Sequence, residues 1–280
     1  MRRTQAAALS LFILFSPRHG AAQEPPAEIS GRELGRRALE ITLAYVKDRD
    51  PDVRGMAAAV LGQAGNKSAA GILKKLLADP DKHARINAAE ALWKLGEPSG
   101  LKAVYAIIGD EPARNAEGDS PLAELRIISR NKLREHAIEA FARMKGDKAG
   151  TMLYELKNDR FGTIRDAAAR ELARLGYAEE MTQFLEATGS EDEGIRFQGA
   201  SILASICSPA AAERLAALLT PNESMRVRIA ALDGIKCSGG GKAALKTLLE
   251  LADDPNPTLR FKAVSALGSV RDGKAFEKLK

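Results

Sequence analysis

The side chains that most often catalyse reactions or bind metal ions are sparse in this chain of 280 residues. The three histidines are His19, His83 and His136, and no His-Glu dipeptide occurs. Their spacing supplies neither a closely spaced metal pair nor a base beside a nucleophile. The run from Gly239 to Lys242 lacks the spacing of a phosphate-binding loop and suits a turn. The sequence therefore predicts that the chain is not an enzyme and holds no metal ion or cofactor.

The two cysteines, Cys207 and Cys237, are too few to build a disulfide scaffold. Both fall near the ends of predicted helices. Neighbouring helices lie about 8–10 Å apart, whereas bonded cysteines need Cα atoms about 4.4–6.8 Å apart. A disulfide therefore requires the chain to converge at a helix end. One disulfide and two buried thiols both stay open.

The commonest charged pattern is an arginine that recurs at intervals of 31 or 32 residues, with one interval of 49. Its members are Arg54, Arg85, Arg134, Arg165, Arg196, Arg228 and Arg260. An alanine or glycine follows three residues later and a larger apolar residue seven residues later, which is one face of an α-helix. Leucine-rich amphipathic stretches precede several of these helices, with Asp-Pro or Thr-Pro steps between the two. Each unit is predicted to be helix, capped turn, helix.

A two-helix unit of this size cannot bury its apolar face alone, so neighbouring units must stack. The sequence predicts an all-α fold, an α-solenoid of about seven two-helix repeats over residues 31–280, closed by a C-terminal capping helix. Residues 23–30 form a short linker. The polar, turn-rich residues 109–121 are predicted to be an inserted loop, with recognition or no role as the two alternatives.

The run from Asp79 to Leu92 resembles a HEAT repeat, especially the short type of phycobilisome-lyase-like HEAT proteins. HEAT repeats typically carry an aspartate six residues before the arginine. The resemblance implies a structural ladder, in which the carboxylate accepts turn N–H groups and the arginine bridges units. Its predicted members are Asp48, Arg54, Asp79, Arg85, Asp159, Arg165, Asp254 and Arg260. Ile128, Ser190 and Asn222 replace the aspartate elsewhere, so we expect interruptions there.

The resemblance also implies that the second helices line the concave side of the solenoid. Residues one or eight positions after the arginine are then candidates for binding a partner: Ile86, Trp93, Glu135, Asp166, Phe197, Ile229 and Phe261. Exposed apolar rows with an aromatic anchor suit a protein or peptide, and the two carboxylates would select basic groups. Alternatively, the apolar members pack between units.

Residues 1–22 have the layout of a secretory signal peptide, with Arg2 and Arg3, an apolar stretch and small residues before Gln23. That stretch is too short to span a bilayer. We therefore expect export to the periplasm or beyond. The formal charge of +5 falls to +2 without the three arginines of this segment, so nucleic acid is not an expected partner.

The sequence favours a secreted, non-enzymatic scaffold or adaptor that binds a protein or peptide on its concave face. Two alternatives remain. The family resemblance implies a bilin-handling, lyase-like protein, and a nucleic-acid-binding HEAT protein is the weaker alternative. The oligomeric state stays open.

Overall fold

The computed structural model describes residues 30–112, 120–239, 244–270 and 272–279. In these ranges the regular structure consists of α-helices and short 3₁₀ turns, without a strand. The helices are α1 (Gly31–Tyr45), α2 (Pro51–Gln63), α3 (Ala70–Leu76), α4 (Lys82–Lys94), α5 (Leu101–Ile108), α6 (Pro121–Lys145), α7 (Gly150–Leu156), α8 (Gly162–Arg174), α9 (Ala178–Ala187), α10 (Glu193–Ile206), α11 (Ala212–Ala217), α12 (Met225–Cys237), α13 (Leu245–Leu251), α14 (Pro257–Leu267) and α15 (Gly273–Leu279). The predicted all-α fold is confirmed.

Side-chain caps start the second helices of the units, with the exception of α8. The Asp50 carboxylate accepts the Asp52 N–H at 2.9 Å before α2. The Asp81 carboxylate accepts the Ala84 N–H at 2.8 Å before α4. These bonds satisfy N–H groups that have no partner within the helix. After α4, Gly96 has a φ of 84°, a left-handed conformation that ends the helix without a Cβ penalty.

The chain divides into residues 1–40 and residues 41–280, and the second unit contains the stack of repeats. Its even-numbered helices contact one another in order from α2 to α14. The odd-numbered helices from α3 to α13 pack against them. The helices approach closely: a Cβ added at Gly62 would lie 2.6 Å from the Ala91 Cα. Small residues at the helix contacts therefore set the spacing of neighbouring repeats. The C-terminal helix α15 contacts α13 and α14 and buries Ala275, as a capping helix should.

The insertion is only partly a loop. Residues 113–119 of the predicted loop lie outside the described residues, as do the predicted signal peptide and most of the linker. From Pro121 onward the inserted residues are helical and extend α6 to 25 residues. Ser120 caps this extension, because its hydroxyl accepts the Ala123 N–H at 3.2 Å. Helix α5 ends at Ile108 and α6 begins at Pro121, so the described ends agree with the predicted loop over residues 109–121, which stays a prediction because residues 113–119 lie outside the described residues.

Cys207 and Cys237 form a disulfide, with their Cα atoms 5.1 Å apart. Cys207 follows α10 in the left-handed conformation, with a φ of 59°, and Cys237 is the last residue of α12. The bond therefore joins two neighbouring second helices at their ends. Of the two alternatives, the disulfide is the one that the structure contains.

Among the described helices, none is both long and apolar enough to cross a membrane.

Candidate functional site

The recurring arginines hold successive repeats together. The Arg54 guanidinium donates two hydrogen bonds to the Asp79 carboxylate of the next repeat, at 2.7 and 2.8 Å. A third nitrogen donates to the Asp48 carbonyl oxygen at 2.9 Å, while the Asp48 carboxylate accepts the Asp50 N–H. Asp79 in turn accepts the Asp81 N–H at 2.9 Å. Each such contact fixes a turn and the neighbouring repeat at once, which is a structural role.

The ladder differs from one interface to the next. Arg134 pairs with Asp159 at 2.6 Å, and Arg228 lies 3.6 Å from Asp254. The expectation that the ladder is interrupted at Asn222 is wrong. Glu223, one residue further on, accepts two hydrogen bonds from Arg196, at 2.8 and 3.0 Å.

Three of the predicted ladder arginines do not pair in this way. Arg165 donates to the Asp159 carbonyl oxygen at 2.8 Å, and Ser190 stands where the next carboxylate would be. Arg260 donates to the carbonyl oxygens of Asp254 and Pro255, both at 2.8 Å. The buried Arg85 Nε has no hydrogen-bond partner among the described residues.

The predicted partner-binding residues do not form one exposed face. Ile86 is fully buried in a core with residues of α5, α6 and α8, so its assignment as a binding residue is wrong. Trp93 is half-buried against the same core. Phe197 and Ile229 are half-buried against the C-terminal core, whereas Phe261 is 71% exposed. Burial of the residue that follows the recurring arginine therefore differs from repeat to repeat and does not produce one continuous row.

The two predicted carboxylates also differ. Asp166 is exposed, whereas Glu135 is half-buried, and burial raises the pKa of Glu135. Burial therefore makes the ionised form of Glu135 less favourable than that of the exposed Asp166.

The structure brings together two histidines that the sequence analysis treated as isolated. The Nδ1 atoms of His83 on α4 and His136 on α6 lie 2.9 Å apart, and their rings stack with centroids 5.2 Å apart. Burial lowers the pKa of His136, and the charge on a protonated His83 lowers it further. When both rings are neutral, the Nδ1–H group of one ring donates a hydrogen bond to the Nδ1 atom of the other.

A chain of ion pairs runs beside the histidines from α4 to α8. Glu90 accepts two hydrogen bonds from Arg143, at 2.7 and 3.2 Å, and Arg143 lies 3.9 Å from Glu139. Glu139 accepts a bond from Arg170 at 2.9 Å. Glu171, next along α8, is fully buried. We call His83, His136 and these five residues the central cluster.

Glu171 is the most deeply buried carboxylate of the central cluster. One of its oxygens accepts a bond from Arg174 at 3.0 Å, and the other, Oε1, has no hydrogen-bond partner among the described residues. Burial raises the pKa of this carboxyl. A buried carboxyl with a raised pKa and a hydrogen-bonded histidine pair are groups that can take part in proton transfer. Within the described ranges, no group of three or more side chains could hold a metal ion.

A groove lies further along the same helix face, between α10 and α12. It encloses about 410 Å³ and is lined by Phe197, Ser201, Ala204, Arg226, Ile229, Ala230 and Asp233. The groove and the ion pairs occupy equivalent positions of successive second helices, since Glu139, Arg170, Ser201 and Asp233 each follow the recurring arginine by five residues. Neither feature stands out in the sequence, because each is assembled from different repeats.

Comparison with known proteins identifies a family and an enzyme relative. The family model described as HEAT repeats matches residues 39–118, 150–236 and 220–280. Phycocyanobilin lyase subunit alpha of Picosynechococcus sp. is 32% identical over 167 residues, which is 55% of this chain and 59% of that protein. The chain thus spans about 59% of the length of this curated relative.

Two solved structures are similar to this chain at lower identity. The complex of CpcE and CpcF of phycocyanin lyase from Nostoc sp. PCC7120 is 18% identical, with a TM-score of 0.46, over 84% of this chain and 97% of that chain. Human deoxyhypusine hydroxylase in complex with glycerol is 21% identical, with a TM-score of 0.34, over 83% of this chain and 84% of that chain.

The lyase relative corrects the main functional interpretation of the sequence. A non-enzymatic scaffold was expected because no compact catalytic motif occurs, and the similarity to an enzyme contradicts that expectation. A catalytic motif recognised by its spacing consists of residues close together in the sequence. In this fold the ionisable groups that lie together come from different repeats, so no such motif marks them. The bilin-handling alternative agrees better with the comparison.

Proposed function

The chain belongs to the HEAT-repeat family, and we propose that within this family it acts as a subunit of a bilin lyase whose substrate is an open-chain tetrapyrrole. The observation that carries the proposal is the 32% identity to phycocyanobilin lyase subunit alpha over 167 residues. That relative is named as a subunit, so the proposal includes a second protein subunit as partner.

The central cluster suits the proton transfers that lyase chemistry requires. In the addition direction, a thiol gives up its proton to a base as its sulfur bonds to one carbon of a bilin double bond, and an acid delivers a proton to the other carbon; elimination is the reverse. The hydrogen-bonded His83–His136 pair can do either, because one ring donates while the other accepts. The guanidinium groups of Arg143 and Arg170 lie among carboxylates of the same cluster and can exchange them for a carboxylate of the substrate.

A bilin turnover assay tests this proposal. We expect the chain with its partner subunit to bind phycocyanobilin and to accelerate the addition of a thiol to one of its conjugated double bonds, both followed by visible absorbance. His83→Gln and His136→Gln should leave binding unchanged and slow conversion by about 10²-fold or more, because proton transfer is lost. The matched control is Arg160→Ala, which removes an exposed cation from another part of the surface. Conversion that persists in both histidine variants would exclude the pair from the reaction.

We also propose that the chain is exported after removal of residues 1–22. The layout of that segment supports this, and so does the Cys207–Cys237 bond, since disulfides persist in oxidising compartments. The intact mass of the protein purified from its native host tests the proposal. A mass that corresponds to a start near Gln23 and to two oxidised cysteines agrees with export, whereas a chain that begins at Met1 with free thiols contradicts it.

A further inference from the structure

The groove between α10 and α12 combines an apolar floor with a charged rim. Phe197 and Ile229 form the floor and are half-buried against the C-terminal core. Phe261 occupies the equivalent position on α14 and is 71% exposed, so the apolar surface continues beyond the groove. A volume of about 410 Å³ lies within the usual range of small-molecule sites.

The rim presents both signs of charge. The Arg226 guanidinium lies 5.1 Å from the centroid of the Phe197 ring and pairs with Glu193 at 2.6 Å. Lys262 of α14 donates two bonds to the Asp233 carboxylate, at 2.6 and 2.8 Å. Arg226 and Asp233 are each about half exposed, and solvent screening leaves exposed ion pairs weak. A ligand with charged and hydrogen-bonding groups can therefore displace these pairings.

We infer that this groove is the binding site for the bilin, an inference that rests on the proposed function. An open-chain tetrapyrrole is a long conjugated molecule with propionate carboxylates and pyrrole N–H groups. Its rings match the apolar floor of Phe197 and Ile229, its propionates match Arg226 and Lys262, and its N–H groups match the Asp233 carboxylate. The groove lies next to α8, which carries Arg170 and Glu171, so a bilin that extends past α10 approaches the central cluster.

The test is a phycocyanobilin titration, followed by absorbance, of the full chain co-purified with its partner subunit, and of matched variants of the chain prepared in the same way. Arg226→Ala should raise the Kd by about tenfold, the ratio that corresponds to about 1.4 kcal/mol. Arg160→Ala is the matched control, because Arg160 also stacks over a phenylalanine, Phe161, and pairs with a glutamate at 2.8 Å. Asp233→Asn should weaken binding, whereas Asp253→Asn, which also removes an aspartate paired with a lysine, should not.

Phe197→Ala is added with its helicity checked by circular dichroism, since Phe197 also packs on the core. The exposed Arg226→Glu variant keeps the test valid if Phe197→Ala unfolds, and it should bind bilin more weakly than Arg226→Ala. Binding by the parent that Arg226 and Asp233 variants leave unchanged would overturn the groove while the proposed function stands. Absence of binding by the parent would overturn the proposed function and the groove together.

Discussion

Replacement of Arg134 by alanine measures how strongly the arginine ladder holds the repeats. Arg134 is 3% exposed and its partner Asp159 is 9% exposed. The guanidinium donates to the Asp159 carboxylate at 2.6 Å, to the Ile108 carbonyl oxygen at 2.8 Å and to the Asn131 side chain at 3.3 Å. Removal of one partner from a buried ion pair destabilises a protein by about 3–5 kcal/mol, because the remaining charge is left buried. We expect that loss from Arg134→Ala.

Arg165 provides the matched control within the same repeat pattern. It is exposed, and it donates one hydrogen bond at 2.8 Å, to the Asp159 carbonyl oxygen. Loss of such a bond costs about 0.5–1.5 kcal/mol. Urea unfolding followed by circular dichroism gives both free energies, with the m-value required to stay constant. Equal losses for Arg134→Ala and Arg165→Ala would refute the claim that the buried inter-repeat carboxylate carries the stabilisation.

Three further predictions concern the disulfide, a buried carboxyl and the surface. Replacement of Cys207 and Cys237 by serine should lower the free energy of unfolding by about 3–4 kcal/mol, given their sequence separation of 30, and an unchanged denaturation midpoint would contradict this. Burial raises the pKa of Glu171 in the folded chain above 4.5, so the protonated carboxyl stabilises the fold at low pH. That stabilisation is lost as the pH rises through the pKa of the folded state. In thermal melts, Glu171→Gln should therefore become more stable relative to the parent as the pH rises from 4.5 toward neutrality, and a pH-independent difference would contradict this. Ile86→Asp should unfold the chain or destabilise it by more than about 3 kcal/mol, whereas Phe261→Asp should change stability by less than about 0.5 kcal/mol; comparable losses would contradict the burial assigned to them.

The repeat architecture could be predicted from the sequence because its signals are local and recur. The Asp-Pro step at Asp50 and the glycine at Gly96 mark a helix start and a helix stop within a few residues. The spacing of Arg54 and Ala57 identifies a helix face without knowledge of its neighbours. Repetition of such signals then required the units to stack.

The candidate site could not be predicted in the same way, because its geometry depends on which repeats are neighbours. His83 and His136 are 53 residues apart in sequence, yet α4 and α6 are adjacent and place their Nδ1 atoms 2.9 Å apart. The burial of Ile86 also depends on the helices packed around it, whereas Phe261 at the equivalent position stays exposed. Glu223 shows the same limit, because a shift of one residue along a turn preserved a contact that a fixed spacing excluded.

The extension of α6 is another feature that only the structure gives. The turn-rich residues before Pro121 indicated a loop, and the Ser-Pro start of a helix within the insertion was overlooked. Leu122, Leu125 and Ile128 follow at helical spacing, and they are 69%, 60% and 45% exposed. Among the described residues, this apolar stripe packs against neither of the two hydrophobic cores. Burial between repeats, which identified the other helices, therefore does not account for this segment.

A spectrophotometric titration of phycocyanobilin with the chain co-purified with its partner subunit tests the central claim most directly. We predict a saturable change in the visible absorbance with one bilin per chain, weakened about tenfold by Arg226→Ala and unchanged by Arg160→Ala. A spectrum that stays that of the free bilin at every protein concentration would contradict the assignment of this HEAT-repeat chain to bilin chemistry.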